Sequence, residues 1–313
     1  MRGRTYPSPD ALSDLLGVLD MRCDISGQLV AGGAWVHRFA NPDAVKFCVV
    51  TTGACWFQLD GGYGPAPLQT GDVVVTSGKR RLILASDPSR LATATTDDIT
   101  KDDDGTYRLG TGEDFTMLGG IVRIDADRQP LLLSCLPDHL HVPRARQEPG
   151  AIAWLLGQLV AEMRPGGRPG RSLLAAGLTQ LLLVHTLRAY VEHAPPADTG
   201  WLKGFGDRRL SMALSSMHRM PERDWTLDEL AKEAGMSRTS FATRFRDTMG
   251  LTPLGYLTEW RMQLATRALR NGASVAQAAA SAGYSSESAF SSAFKRIVKV
   301  APGQYRRTGP RAR

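Results

Sequence analysis

The stretch EAGMSRTSFATRF at 233–245 is written again, with small changes, as SAGYSSESAFSSAF at 281–294. From the phenylalanines onward the copies keep a constant offset of 49: Phe241 with Phe290, Phe245 with Phe294, Pro253 with Pro302, Tyr256 with Tyr305. A chain that repeats a phrase in this register repeats a supersecondary unit. In the first copy Thr226 stands as N-cap before Leu227, Leu230 and Ala231, with Glu229 as its capping-box partner. Gly235 supplies the turn, and Ser237 caps a second helix with Phe241 and Phe245 on its inner face. That helix ends near Gly250, and Pro253 opens the next. In the second copy Ser274 caps VAQAAASAG, Gly283 turns, Ser285 or Ser286 caps, and Phe290 and Phe294 form the inner pair. Between the copies, PLGYLTEWRMQLATRALRNG reads as one amphipathic helix.

Each copy has the punctuation of a helix-turn-helix, whose second helix enters the major groove of DNA. Two such units on one stiff helix fit successive grooves, about 34 Å apart. Helical pairs also repeat in solenoids, but those need at least about three repeats. Charge agrees with the DNA reading. Residues 201–313 hold 19 Lys and Arg against 9 Asp and Glu, whereas residues 1–200 hold 19 against 22. A basic C-terminal third beside a mildly acidic remainder is the asymmetry of a nucleic-acid module joined to another kind of domain.

With the phenylalanines turned inward, the exposed positions of the first recognition helix are Arg238, Thr239, Ala242, Thr243 and Arg246. Those of the second are Glu287, Ser288, Ser291, Ser292 and Lys295. Thr methyls and Ala suit thymine methyls, and Arg238 or Arg246 suits guanine. Phosphate is the commoner destination of a cation, and Arg244, Arg261, Lys295 and Arg306 are the candidates. Glu287 either accepts from cytosine or caps its own helix.

Residues 208–308 resemble the DNA-binding domain of AraC-type transcription regulators, through WTLDELAKEAGMSRTSFATRFRDTMGLTPLGYLTEWRMQLA and AAASAGYSSESAFSSAFKRIVKVAPGQYRR. The resemblance assigns base reading to Thr239, Ala242, Thr243, Ser288 and Ser292, and implies a homodimer, contact with RNA polymerase, and activation rather than repression. One position departs: Lys299 stands where relatives usually have Gly. A left-handed backbone there costs Lys roughly 1 kcal/mol relative to Gly; another helix ending would free Lys299 for a phosphate.

Residues 20–135 carry short apolar runs, among them VKFCVVTTG, CWFQLDGG and GDVVVTSG, broken by Gly, Pro and Asp. This spacing predicts an all-β sandwich or barrel. DALSDLL, VKFCVVTTGACWFQLDGG and LQTGDVVV resemble the cupin-like jelly-roll sensor of one branch of the same regulators. The HxH, Glu and later His of metal-binding cupins are missing, with Cys48 in the first motif and Arg80 and Arg81 in the second. No metal, cofactor or catalytic residue is expected, and an enzyme fused to a DNA-binding tail is the weaker alternative.

Two sensor readings follow. In the first, the barrel interior holds a small organic ligand, lined partly by Trp35, Phe47, Trp56 and Phe57; the competing reading is that these aromatics fill the core. In the second, Cys23, Cys48, Cys55 or Cys135 senses oxidants or electrophiles, which demands an exposed thiol of lowered pKa. Without a CxxC pair these cysteines form neither a zinc cage nor a disulfide framework.

AIAWLLGQLVAEM and RSLLAAGLTQLLLVHTLRAYVEH read as a helical pair with more apolar surface than one packed face needs, either for dimerisation or for packing against the barrel. No uninterrupted apolar run approaches the roughly 20 residues of a membrane span, and a cytoplasmic protein is expected. The fold class is α+β, laid out as a cupin-like sensor (1–145), helical connector (146–194), linker (195–206), double helix-turn-helix domain (207–308) and basic tail (309–313).

Overall fold

The computed structural model describes residues 10–19, 21–40, 44–92, 96–103, 105–124, 136–147, 150–163, 169–193 and 200–308. They form two compact units, residues 10–19 with 200–308 and residues 21–124 with 136–193. Helix α1 (Ala11–Leu19), expected in the sensor domain, therefore groups with the C-terminal helices. Its apolar residues Ala11, Leu15, Val18 and Leu19 share one face and are buried. Asp10 starts it by accepting from the Ser13 N–H at 2.9 Å.

The sheet unit contains β1 (Arg22–Gly32), β2 (Val36–Arg38), β3 (Val45–Thr52), β4 (Ala54–Leu59), β5 (Ala66–Gln69), β6 (Val73–Thr76) and β7 (Leu82–Ala85). A short α2 (Pro88–Leu91) follows, then β8 (Thr100–Lys101), β9 (Thr106–Gly110), β10 (Phe115–Arg123) and β11 (His139–Val142). One sheet runs β11-β6-β3-β10-β1-β9-β8 and the other β2-β7-β4-β5. Only β1 with β9 is parallel among the described pairings.

Alternate residues of both sheets meet in one core, among them Leu29, Cys48 and Val50 from the larger sheet and Cys55, Phe57 and Leu59 from the smaller. This period of two corrects half of the expected ligand lining. Phe47 precedes Cys48 and faces the other side of its sheet, lying so close to Gly120 that a Cβ there would collide with its ring. Trp56, between Cys55 and Phe57, packs outward against Val36, Ile83, Ala85 and Leu91. Trp35 and Phe57 do face the core, where they are 1% and 0% exposed and packed by neighbours such as Phe115, 5.5 Å from Trp35.

At the far edge His141 Nε2 lies 3.3 Å from Asp72 Oδ2, and Asp72 also accepts from the backbone N–H groups of Gln69 and Arg144. Burial pushes the Asp72 carboxyl up, but these hydrogen bonds outweigh it and hold the carboxyl below its usual value. After β11 come a 3₁₀ turn (Arg144–Arg146), α3 (Ala151–Met163) and α4 (Arg171–His193). Helix α4 packs on β1, β11 and α3, so the connector helices belong to the sheet unit. By length and composition α4 is apolar enough to cross a bilayer. Gly, Thr and His interrupt it, so it contains no unbroken apolar run of that length.

The helical unit continues with α5 (Trp201–Gly206), α6 (Arg208–Arg219), α7 (Leu227–Glu233), α8 (Arg238–Met249), α9 (Pro253–Arg270), α10 (Val275–Ser281), α11 (Glu287–Val298) and α12 (Pro302–Thr308). His218 is the polar centre of its first half. Its Nε2 lies 2.6 Å from the Tyr256 hydroxyl, its Nδ1 lies 3.2 Å from Asp14 of α1, and its ring stacks on Trp260 at 3.8 Å. Burial pushes its pKa down, against the opposing pull of Asp14.

Candidate DNA-binding site

Both repeats fold as helix-turn-helix units by the same local devices. At α7, the Glu229 N–H donates to Thr226 Oγ1 at 3.2 Å and the Thr226 N–H to Glu229 Oε2 at 2.8 Å. Bonds from the Thr226 backbone and hydroxyl, then from Arg223, pull the Glu229 carboxyl down to about 2. At α10, Ser274 and Gln277 form the equivalent box, at 2.8 and 3.1 Å. Ser237 caps α8, and Ser286 rather than Ser285 caps α11. The second helices then plant Phe241 and Phe245, or Phe290 and Phe294, fully inside. Aligned caps and pairs of aromatics one turn apart fix which face of each recognition helix stays outside.

The outer face of α8 carries Arg238, Thr239, Thr243 and Arg246 exposed and Ala242 half-buried; that of α11 carries Glu287, Ser288, Ser292 and Lys295 exposed and Ser291 half-buried. The side-chain hydroxyls of Thr239 and Thr243 have no hydrogen-bond partner among the described residues. The serines are partly engaged: Ser288 Oγ meets Ser286 Oγ at 2.7 Å, and Ser292 donates to the Ser288 carbonyl at 3.0 Å. Each keeps acceptor capacity on its outer side. Arg238 rests 3.3 Å from Asp228, with both side chains more than half exposed, a contact that water and salt readily compete away. Glu287 opens α11 in its first turn, beside the cap rather than as the cap.

Two expected phosphate ligands are engaged elsewhere. Arg261 donates from Nε to the Pro221 carbonyl at 2.6 Å and from Nη2 to the Arg223 carbonyl at 2.8 Å, so it holds the loop before α7. Arg244 Nε lies 2.6 Å from Asp207, the N-cap of α6. Neither assignment to phosphate accounted for the loop carbonyls and the cap, which sequence spacing cannot show. Arg246, Lys295 and Arg306 are exposed and without a side-chain partner among the described residues. Exposed Arg296 and Arg307 were passed over, although each adjoins a residue already singled out.

The two recognition helices end alike. Gly250 and Lys299, again 49 apart, have φ 76° and 67° with ψ 0° at both. Lys299 is therefore a left-handed cap after all, its Nζ donating to the Arg296 carbonyl at 2.8 Å rather than standing free.

In the sheet unit Cys23, Cys48 and Cys55 are buried. Burial pushes the Cys23 and Cys48 thiols up to about 12 and about 11, and raises Cys55 further. These thiols lack both exposure and thiolate character. Cys135 lies outside the described residues. Among the described residues no group of three or more His, Cys, Asp or Glu side chains is placed to hold a metal.

The cupin family matches residues 10–192, and a helix-turn-helix domain matches residues 230–308. A Streptomyces lividans protein described as an AraC-like transcription regulator is 42% identical over 303 residues, covering 95% of this chain and 98% of its own length. A Streptomyces antibioticus protein with the same description is 40% identical, with the same coverage. The HTH-type transcriptional regulator MtrA of Neisseria gonorrhoeae is 30% identical over 304 residues, covering 95% of this chain and 96% of its own length.

Proposed function

The chain belongs to the AraC-type transcription regulators, and from that premise we propose that each subunit lays α8 and α11 into two successive major grooves on one face of the DNA. The observation that carries this is the pairing of two capped helix-turn-helix units across α9. At about 1.5 Å per residue, the 18 residues of α9 span roughly 27 Å, close to the ~34 Å groove repeat. Thr239, Ala242, Thr243, Ser288 and Ser292 read base edges, with Arg238 aimed at a guanine. Arg246, Lys295 and Arg306 hold phosphates. Hydroxyl-radical footprinting of the full chain on its own upstream DNA tests this. Two protected patches about one helical turn apart are expected, and a single patch overturns the reading.

The same reading extends to assembly and control. Helix α4 leaves Leu173 80% exposed and Leu174 and Leu181 50% exposed, with Gly177 between them. That stripe supports a homodimer with α4 of a second copy, close approach being eased by the missing side chain. Sedimentation of Leu173→Gln/Leu181→Gln as a monomer would support it; an unchanged mass would reject it. The sheet unit senses a small molecule and shifts DNA affinity, in a protein that works in the cytoplasm, recruits RNA polymerase as an activator and catalyses no reaction. The thiol alternative draws no support from the three buried cysteines.

A further inference from the structure

The sensing reading needs a site, and the aromatics Trp35 and Phe57 that face the core between the sheets are packed there by their neighbours. A groove of about 670 Å³ lies between helix α3 and the larger sheet, at Gln28 of β1, the end of β3 and the start of β10. Among its polar groups are a hydroxyl pair and a cation that can donate. Thr51 and Thr116 share one hydrogen bond at 2.6 Å. Whichever hydroxyl donates, the other keeps its hydrogen for an outside acceptor. Arg144 stands at the rim: its backbone N–H is fixed on Asp72 at 2.9 Å, and its stem lies against Gly71. Gln147 anchors the same turn by donating to the carbonyls of Gly71 at 2.7 Å and Val142 at 3.2 Å. The Arg144 guanidinium has no partner among the described residues, and none of those lining the groove is acidic.

The opposite wall is apolar, with Leu156 and Val160 on α3. Between them in sequence sits Gly157, in mid-helix, a residue that weakens helices. A Cβ at Gly157 would meet nothing within 4 Å, so no packing contact calls for glycine there. What its missing side chain leaves is open space in the wall. A cationic fork, a free hydroxyl donor and an apolar wall lining one groove suit one ligand class.

We propose that this groove binds a small organic carboxylate, its apolar body against α3 and its carboxylate between Arg144 and the Thr51–Thr116 pair. The proposal rests on the sheet unit being the sensor. Titration calorimetry of the full chain with 2-naphthoate and with neutral 2-naphthamide tests it. The acid should bind at least about tenfold more tightly than the amide, about the 1.4 kcal/mol that a tenfold ratio represents. Arg144→Gln should bring the acid down to the level of the amide and leave the amide unchanged. Gly157→Leu, which favours the helix, should block both without lowering the melting temperature. Equal binding of acid and amide, no binding of either, or wild-type binding in Gly157→Leu would overturn the proposal. Affinity for the upstream DNA separates the two claims. Naphthoate that binds as described without changing DNA affinity leaves the groove standing and sinks the sensing role for it. A naphthoate effect on DNA affinity that persists in Gly157→Leu keeps sensing and sinks the groove.

Discussion

Replacing Lys299 with glycine should stabilise the helical unit, and replacing Gly250 with lysine should destabilise it by a similar amount. The two residues occupy the same left-handed cap, at φ 67° and 76°. A side chain in that conformation costs about 1–2 kcal/mol, whereas glycine gives back about 0.4–1 kcal/mol through the freer unfolded chain. The net gain for Lys299→Gly is therefore roughly 0.5–1 kcal/mol, since the exposed Nζ bond to Arg296 adds little. Urea unfolding of the full chain, followed by far-ultraviolet circular dichroism, reads this as a midpoint shift. At a slope of about 2 kcal/mol/M the shift is about 0.25–0.5 M. Lys299→Ala removes the charge but keeps the backbone cost, so it should give no gain. Equal midpoints for Lys299→Gly and Lys299→Ala, or a Gly250→Lys variant as stable as the parent, would refute the reasoning.

Arg238→Ala should lower discrimination at a single base pair by about 1–3 kcal/mol in competition binding; a uniform loss over all sequences would reassign Arg238 to phosphate. The His218 pKa is held below its ordinary value, so the unfolded chain takes up the proton first as pH falls. Stability of the helical unit is then complete above about pH 6.5 and declines below it. His218→Gln should flatten the slope of stability between about pH 7 and 5, and an unchanged slope would place that titration elsewhere. Cys48→Ala/Cys55→Ala should leave DNA affinity under mild oxidant as it is in the parent; a response lost in the variant would return these thiols to the sensor.

The C-terminal third was legible because its signals are local. Caps, a turn glycine and phenylalanines one turn apart set each helix-turn-helix without reference to distant chain, and even the Thr226–Glu229 box is formed as read. The sheet unit was legible only as a class. Strand spacing predicts a sandwich, but deciding that Trp56 faces outward while Phe57 faces inward requires the strand register, which depends on partners far away in sequence. Arg244 and Arg261 read as free cations because their acceptors, Asp207 and two loop carbonyls, lie 37 to 40 residues away. Helix α1 was assigned with the strands that follow it; its contact through Asp14 is with His218, 204 residues on.

The account rests on two recognition helices held at a fixed spacing by α9. The direct test is the affinity of the full chain for its upstream DNA, with the two contacted segments as they naturally stand or separated by half a helical turn, about five base pairs. A rigid α9 predicts that the insertion reduces binding to the level of scrambled DNA. Equal affinity for both DNAs would mean that only one groove is read.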